Sequence, residues 1–383
     1  MLNLDNNATT QPLPDVVAAV RQALEEHWHN PSSVHRGGQN ARRAVELARE
    51  AVASLLCARP KDVIFTSGGT ESIDTAIRGT LAATGKRVIL TTAIEHAAIR
   101  DLTAHLAKRG ECEVRTLPLD ASGLVDPAAL APLLTPDLAL VSVQWANNET
   151  GVVQPVQAIG AACRARGIAF HCDATQWVGK MPVEGDPSSW CDLLTGSPHK
   201  WHGPKGVGVL WVRTGVRLVP MLHGAQEQGR RAGTENVPGI VGAGVAAAAA
   251  GEWLSDAGPR ARLAAMRDAF ESAVLASVPG TIVNGAAAPR LWNTTNIAFP
   301  RLEAEALLMA MSERGLFVSA GAACSSGSLD PSPVLLALGI APEIAAASIR
   351  FSLCRFTTQS EMDQAVELVA DAVRRVGGSM LPA

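Results

Sequence analysis

The sequence predicts an α/β fold on a mainly parallel sheet, followed by a smaller α+β domain. Three observations predict it. Short apolar runs alternate with amphipathic stretches from about Val63 to Val212, polar clusters follow several of those runs closely, and the pattern changes character after about Ala257.

The runs are VIFTSG (63–68), RVILTT (87–92), LALVSVQWANN (138–148), IAFHCDATQ (168–176), CDLLTGS (191–197) and VGVLWVR (207–213). Each has the length and composition of a buried strand. Between the earlier runs, 71–81, 97–108 and 156–166 carry apolar residues at three- and four-residue spacing, which predicts helices. Beyond Ala257 the order changes to a long helix (260–278), a strand-like NTTNIAFP (293–300), a helix (303–314), LFVSAG, a helix near 333–338, SIRFSL and a final helix (359–376). The expected division is a large domain over 13–256 and a small one made of 1–12 and 257–383.

The balance of 33 Lys+Arg against 36 Asp+Glu in 383 residues, with 47% apolar residues, gives enough material for about two cores. A net charge of −3 without a basic run gives no electrostatic reason to bind nucleic acid or an anionic membrane. The N-terminal MLNLDNNATT lacks the basic and apolar regions of a secretory signal, so a cytoplasmic location is expected. The apolar stretch 237–251 is rich in Ala and Gly and is expected to pack as a helix entered after Pro238, being short for a bilayer span. Seven cysteines, odd in number and without CxxC pairing, argue against a disulfide framework and a zinc site.

In open α/β sheets ligands collect at the carboxyl ends of the strands, so the chemistry is sought there. TGSPHKWHGPKGVGVLWV (195–212) places Ser197, His199 and Lys200 after a buried strand and before a glycine-rich turn. Most lysines in loops are surface residues, but one in a desolvated site can have a lowered pKa and bind a carbonyl covalently. In HCDATQW (171–177), Asp173 reads either as the ion-pair partner of a protonated pyridine nitrogen or as a helix cap. TSGGTES (66–72) combines a strand end, a Gly-Gly turn and a helix start, the pattern of a phosphate cradle. His96 follows the next strand. It reads as a structural residue or, in a chain with no tyrosine, as the leading candidate to stack on a cofactor ring.

Taken together these segments resemble the class V family of pyridoxal 5′-phosphate (PLP) enzymes, specifically the NifS/IscS cysteine desulfurases. The likeness runs through LDNNATT (4–10), NPSSVH (30–35), TSGGTES, IEHAAI, NNETGVVQP (147–155), HCDATQ, SPHK with GPKGVG, GRRAGTENV (229–237), AACSSGSLDPSPVLLALG (322–339) and SIRFSL (348–353). It implies the fold type I architecture, with a mainly parallel seven-stranded sheet in the large domain. It further implies that Lys200 is the Schiff-base lysine, that Asp173 pairs the pyridine nitrogen, that Gln176 binds the ring hydroxyl, and that His96 stacks on the ring and moves protons. Gly69, Thr70, Ser197 and His199 would hold the phosphate, and Thr234 would reach the phosphate of a neighbouring subunit, which implies a homodimer with shared sites. Asn148 would contact cofactor and substrate, and Arg350 would clamp the substrate carboxylate.

Cys324 lies in SAGAACSSGS (319–328), small residues that suit a mobile loop better than a packed element, although most free cysteines are buried and structural. The resemblance makes Cys324 the persulfide carrier on a long loop. The implied reaction converts L-cysteine to L-alanine and delivers sulfur to Fe–S cluster assembly or another acceptor or scaffold protein. No metal is implied beyond transient ligation of a cluster by Cys324 in a complex. His202, Cys354, Gln228, Ala225 and the pair Ile73-Asp74 depart from the family pattern without touching these roles, and the tail after the last helix is expected to be short. The rival readings are a selenocysteine lyase or another class V enzyme, and a non-catalytic sulfur-carrier scaffold. A scaffold would be colourless where intact Lys200, Asp173 and Gln176 predict a yellow protein.

Overall fold

The computed structural model describes residues 1–320 and 330–379. Thirteen strands are described: β1 (Leu2–Asn3), β2 (Val63–Thr66), β3 (Val88–Thr92), β4 (Glu113–Leu117), β5 (Leu138–Gln144), β6 (Ala169–Asp173), β7 (Leu193–Gly196), β8 (Gly208–Val212), β9 (Ile282–Asn284), β10 (Thr294–Ala298), β11 (Leu316–Phe317), β12 (Ser319–Ala320) and β13 (Ser348–Ser352). Seven form one sheet in the order β2-β8-β7-β6-β5-β3-β4, in which only β8 runs antiparallel to its neighbours. The mainly parallel sheet is therefore present. Strands β2, β5, β7 and β8 are buried along their whole length, which explains their unbroken apolar runs.

The helices Gly69–Thr84, Ala97–Lys108 and Val156–Ala165 fall where the spacing predicts them. The edge strand β4 was not expected, because its EVRTL alternates charge with apolar residues and only Leu117 is buried. The helices Pro14–Glu26 and Arg36–Leu55 also went unread. They pack mainly on the helix Val237–Leu254, where a Cβ on Gly244 would come within 2.6 Å of Ala48. That helix extends three residues past Gly251 and so, by length and composition, is long enough to cross a membrane, against the expectation. Half of it is buried within the fold.

A second sheet, β12-β13-β10-β9, is antiparallel throughout, and β1 pairs with β11. Its core gathers Leu2 and Leu4 with Phe270, Ile297, Ile349 and Phe351. The N-terminal residues thus join the elements after Ala257 before the chain crosses to the large sheet. The six strands β2, β3, β4, β5, β6 and β7 point their carboxyl ends to one edge, and β8 starts from the same edge. Gly208, at that start, admits no side chain: a Cβ would lie 2.3 Å from the Gly68 backbone.

The helix Arg36–Leu55 is tied to the sheet by a buried ion pair. Arg49 donates through Nη1 and Nη2 to the two oxygens of Glu227 at 2.7 and 2.8 Å, and the Phe65 amide donates to the same carboxylate at 2.8 Å. Removing one partner strands the other charge away from water. Arg49→Met is therefore expected to cost about 3–5 kcal/mol in denaturant unfolding, and adding Glu227→Leu should recover part of that loss. A single-variant loss near zero would mean that the pair adds nothing to the fold.

Candidate active site

The strand ends deliver the predicted residues to one edge. Ser67–Gly69 follow β2, His96 follows β3, Asn148 follows β5, Asp173 ends β6, and Ser197, His199 and Lys200 follow β7. The turn Pro198–Lys200 is a single helical turn opened by proline, which projects Lys200 from the edge.

Lys200 Nζ donates to the carbonyls of Asn7 and Ala8, each at 2.7 Å. Gln176 is buried and its Nε2 donates to the same Asn7 oxygen at 3.1 Å. Asp173 is buried, and its Oδ1 accepts from the Thr175 amide at 3.0 Å and from Thr195 Oγ1 at 3.1 Å. These bonds fix a carboxylate oxygen as an acceptor at the end of β6. Its neighbour His171 spans Ser142 Oγ (2.8 Å) and Thr195 Oγ1 (3.3 Å), and burial pulls it down to about 4 against the pull of Asp173. His171 is therefore neutral at neutral pH.

The helix Gly69–Thr84 begins after Gly68, which offers no side-chain cap to its first amides. A Cβ on Gly69 would lie 3.6 Å from both Ser197 Cβ and Thr175 Oγ1, so three elements converge on this helix start. Thr175 Oγ1 is buried without a hydrogen-bond partner. Uncapped amides, a positive helix end and an orphaned hydroxyl suit a phosphate, so the residues present fit PLP. Thr70 is exposed at the same end. His199 is half-buried with Nδ1 3.2 Å from Thr9 Oγ1, and burial with nearby lysines pulls it down to about 4.

His96 caps the helix Ala97–Lys108, its Nδ1 accepting from the Ala98 amide at 3.1 Å. Arg350, in β13, is buried. It donates to Asp5 Oδ1 at 2.6 Å and to the Asn148 carbonyl at 3.1 Å, while its Nε has no partner. Thr234 is exposed in the segment before the helix Val237–Leu254 and does not join this cluster within one chain. Cys324 lies outside the described residues. The segment that carries it leaves from β12, where Ser319 pairs with Arg350. Trp145 and Trp177 stack on one another with ring centroids 4.2 Å apart, in keeping with packing roles.

Sequence reading missed several partners. Asn7 and Asp5 stood within LDNNATT but carried no chemical signal of their own. Lys180 is buried one helical turn beyond Gln176, and its Nζ donates to Gln176 Oε1 and Asn7 Oδ1. Glu95 and Glu149 are buried acids. Burial, aided by Asp173, pushes Glu95 up to about 8 against hydrogen bonds from Thr92 and Gln144. Burial likewise pushes Glu149 up to about 7 against a Ser332 hydrogen bond and Arg350.

A carboxyl whose folded pKa lies above its unfolded value holds an extra proton in the native state. Its contribution to stability is full below the unfolded value of about 4.5 and is lost as pH rises toward 8. Glu95→Gln keeps the Thr92 and Gln144 bonds and removes this titration. The variant should gain on wild type by about 1.4 kcal/mol per pH unit at most between pH 4.5 and 8, read by unfolding at several pH values. A constant difference across that window would mean that Glu95 is ionised in the folded protein.

Comparison with known proteins agrees with this geometry. The aminotransferase class-V family model matches residues 2–365. The chain is 47% identical to cysteine desulfurase 2 of Trichormus variabilis, over 98% of this chain and 94% of that one. It is 43% identical to the cysteine desulfurase NifS of Azotobacter vinelandii, over 97% and 92%. A solved NifS-like protein superposes with a TM-score of 0.89 at 34% identity, covering 98% of this chain and 99% of its own. Sheet order, site geometry and these likenesses agree, and the chain belongs to the aminotransferase class-V family.

Proposed function

We propose that the protein is a PLP-dependent cysteine desulfurase that converts L-cysteine to L-alanine and takes the sulfur onto Cys324. One observation carries the reading. Lys200 Nζ and Gln176 Nε2 converge on the Asn7 carbonyl beside an uncapped helix start that suits a phosphate. The named activity of the relatives supplies the substrate.

PLP, when bound, supplies an electron sink for the Cα of the amino acid. Lys200 is the group that tethers it and the base for the Cα proton. Asp173 would pair with the ring nitrogen, and Gln176 would donate to the ring oxygen. Gly69, Thr70, Ser197 and His199 hold the phosphate, Asn148 lines the substrate side, and His96 exchanges the proton that accompanies sulfur departure. Arg350, already oriented by Asp5 and Asn148, receives the substrate carboxylate.

As a thiolate, Cys324 attacks the substrate sulfur. The sulfur's bond to carbon breaks, its electrons stay with the alanine fragment, and a proton replaces sulfur there. Cysteine and enzyme thiol thus give alanine and enzyme persulfide with no external oxidant. The persulfide passes to a sulfur-acceptor protein.

The same reading extends to a homodimer in the cytoplasm, with Thr234 serving the partner's phosphate. Trp28 and Val34, 69% and 89% exposed near NPSSVH, support a covered face. The six described cysteines are unpaired thiols, as a reducing compartment favours. The domain division into 13–256 and 1–12 with 257–383 is supported by the separate core around Leu2, Leu4 and Phe351.

Cys324→Ala is expected to bind PLP and turn yellow yet to release no alanine from L-cysteine beyond the level without enzyme. Undiminished alanine formation would remove Cys324 from the reaction. Lys200→Ala should abolish the visible band that the wild-type protein shows with PLP, and an unchanged spectrum would end the assignment of Lys200.

A further inference from the structure

Lys180 is the one buried amine next to the Lys200 cluster that the reaction above does not use. It sits at the end of the turn after β6, and its Nζ donates to two oxygens, Asn7 Oδ1 at 2.7 Å and Gln176 Oε1 at a still shorter distance. Its own carbonyl accepts from Trp292 Nε1 at 2.9 Å, which pins the backbone. With Lys200 it lines one small cavity of about 20 Å³, room for a single water.

An amide side chain is nearly symmetric in shape and can turn either end forward. At Gln176 the choice decides whether a hydrogen-bond donor or an acceptor faces the Lys200 site. Lysine settles it, because both of its bonds here are donated. The Gln176 oxygen must turn back to Lys180, which sends Nε2 forward to the oxygen that Lys200 also meets. The Asn7 backbone carbonyl, which can only accept, receives Nε2 and favours the same orientation, so Lys180 secures the opposite end of the amide.

We propose that Lys180 is a positioning residue that fixes the Gln176 amide with its N–H end toward the ring oxygen of PLP. The proposal rests on the assignment of Gln176 given above. Burial, with Lys200 and Arg350 adding, pulls Lys180 well below the ordinary lysine value. A neutral amine still has two N–H bonds, enough for both oxygens. Both bonds can therefore be made in either protonation state, and the ammonium form, which has no lone pair, enforces the orientation.

The test compares Lys180→Met, Gln176→Ala and the double variant in the PLP-loaded protein, reading PLP dissociation and the position of the visible band. Lys180→Met should weaken PLP binding about tenfold and shift the band in the same direction as Gln176→Ala. In the Gln176→Ala background the same substitution should change affinity less than about twofold and move the band no further. Equal losses in both backgrounds, or a normal band in Lys180→Met beside a shifted one in Gln176→Ala, would overturn the proposal alone. If Gln176→Ala binds PLP as wild type does, the Gln176 assignment fails and takes this inference with it. Should Lys180→Met not fold, Lys180→Gln keeps one donor and is read the same way, with a smaller loss in the wild-type background and the same collapse in the other.

Discussion

The site hangs from the hydrogen bonds of one residue, Asn7. Its carbonyl receives Lys200 and Gln176, its side-chain oxygen receives Lys180 and Asn293, and its Nδ2 donates to Thr294 and to the Asn148 carbonyl. Those partners come from the turns after β5, β6 and β7 and from the start of β10. A residue seven positions into the chain thus joins both sheets at the reactive edge, and the N-terminal segment cannot slip without moving the lysine.

Around this knot the protein has removed water and accepted the electrostatic cost. Glu95 and Glu149 are pushed up and His171 and His199 pulled down, each mainly by burial. The neutral forms dominate near pH 7 for the histidines and for Glu95, which leaves Asp173 with few competing charges. An ion pair between Asp173 and a cofactor nitrogen is stronger in such surroundings than in water. The same dryness makes every unpartnered group costly. Thr175 Oγ1 and Arg350 Nε are two such atoms at this edge, and the proposed phosphate and substrate carboxylate would satisfy them.

Much of this was legible in the chain. Buried parallel strands announce themselves as unbroken apolar runs, and polar residues directly after them mark the reactive edge, which singles out Lys200, Asp173 and His96 as candidates; the role of Gln176 and the choice among the alternatives came from the likeness to the class V family. The edge strand β4 was illegible because charged residues interrupt its apolar ones, and the helix Pro14–Glu26 because it precedes every strand of the large sheet. Asn7 and Lys180 were hidden for a different reason. Asn7 acquires its meaning from partners more than a hundred residues away, and the four-residue spacing of Lys180 from Gln176 signals nothing until Asn7 joins them. The role proposed for Thr234 needs a second subunit, and in a single chain it is an exposed loop residue.

The central claim is that sulfur leaves the substrate onto Cys324 and onto no other of the seven thiols. Cys163, Cys172 and Cys191 are buried, with thiol pKa values pushed up by burial, which disfavours the thiolate. Cys354 is the rival within reach, lining the small cavity beside Lys180 and Lys200. The most direct measurement is a single turnover of the PLP-loaded protein with L-cysteine, followed by mass-spectrometric mapping of its cysteine peptides. One added sulfur atom on the Cys324 peptide, in step with one alanine released, is the result predicted; sulfur on Cys354, or alanine released with no sulfur on Cys324, would contradict it.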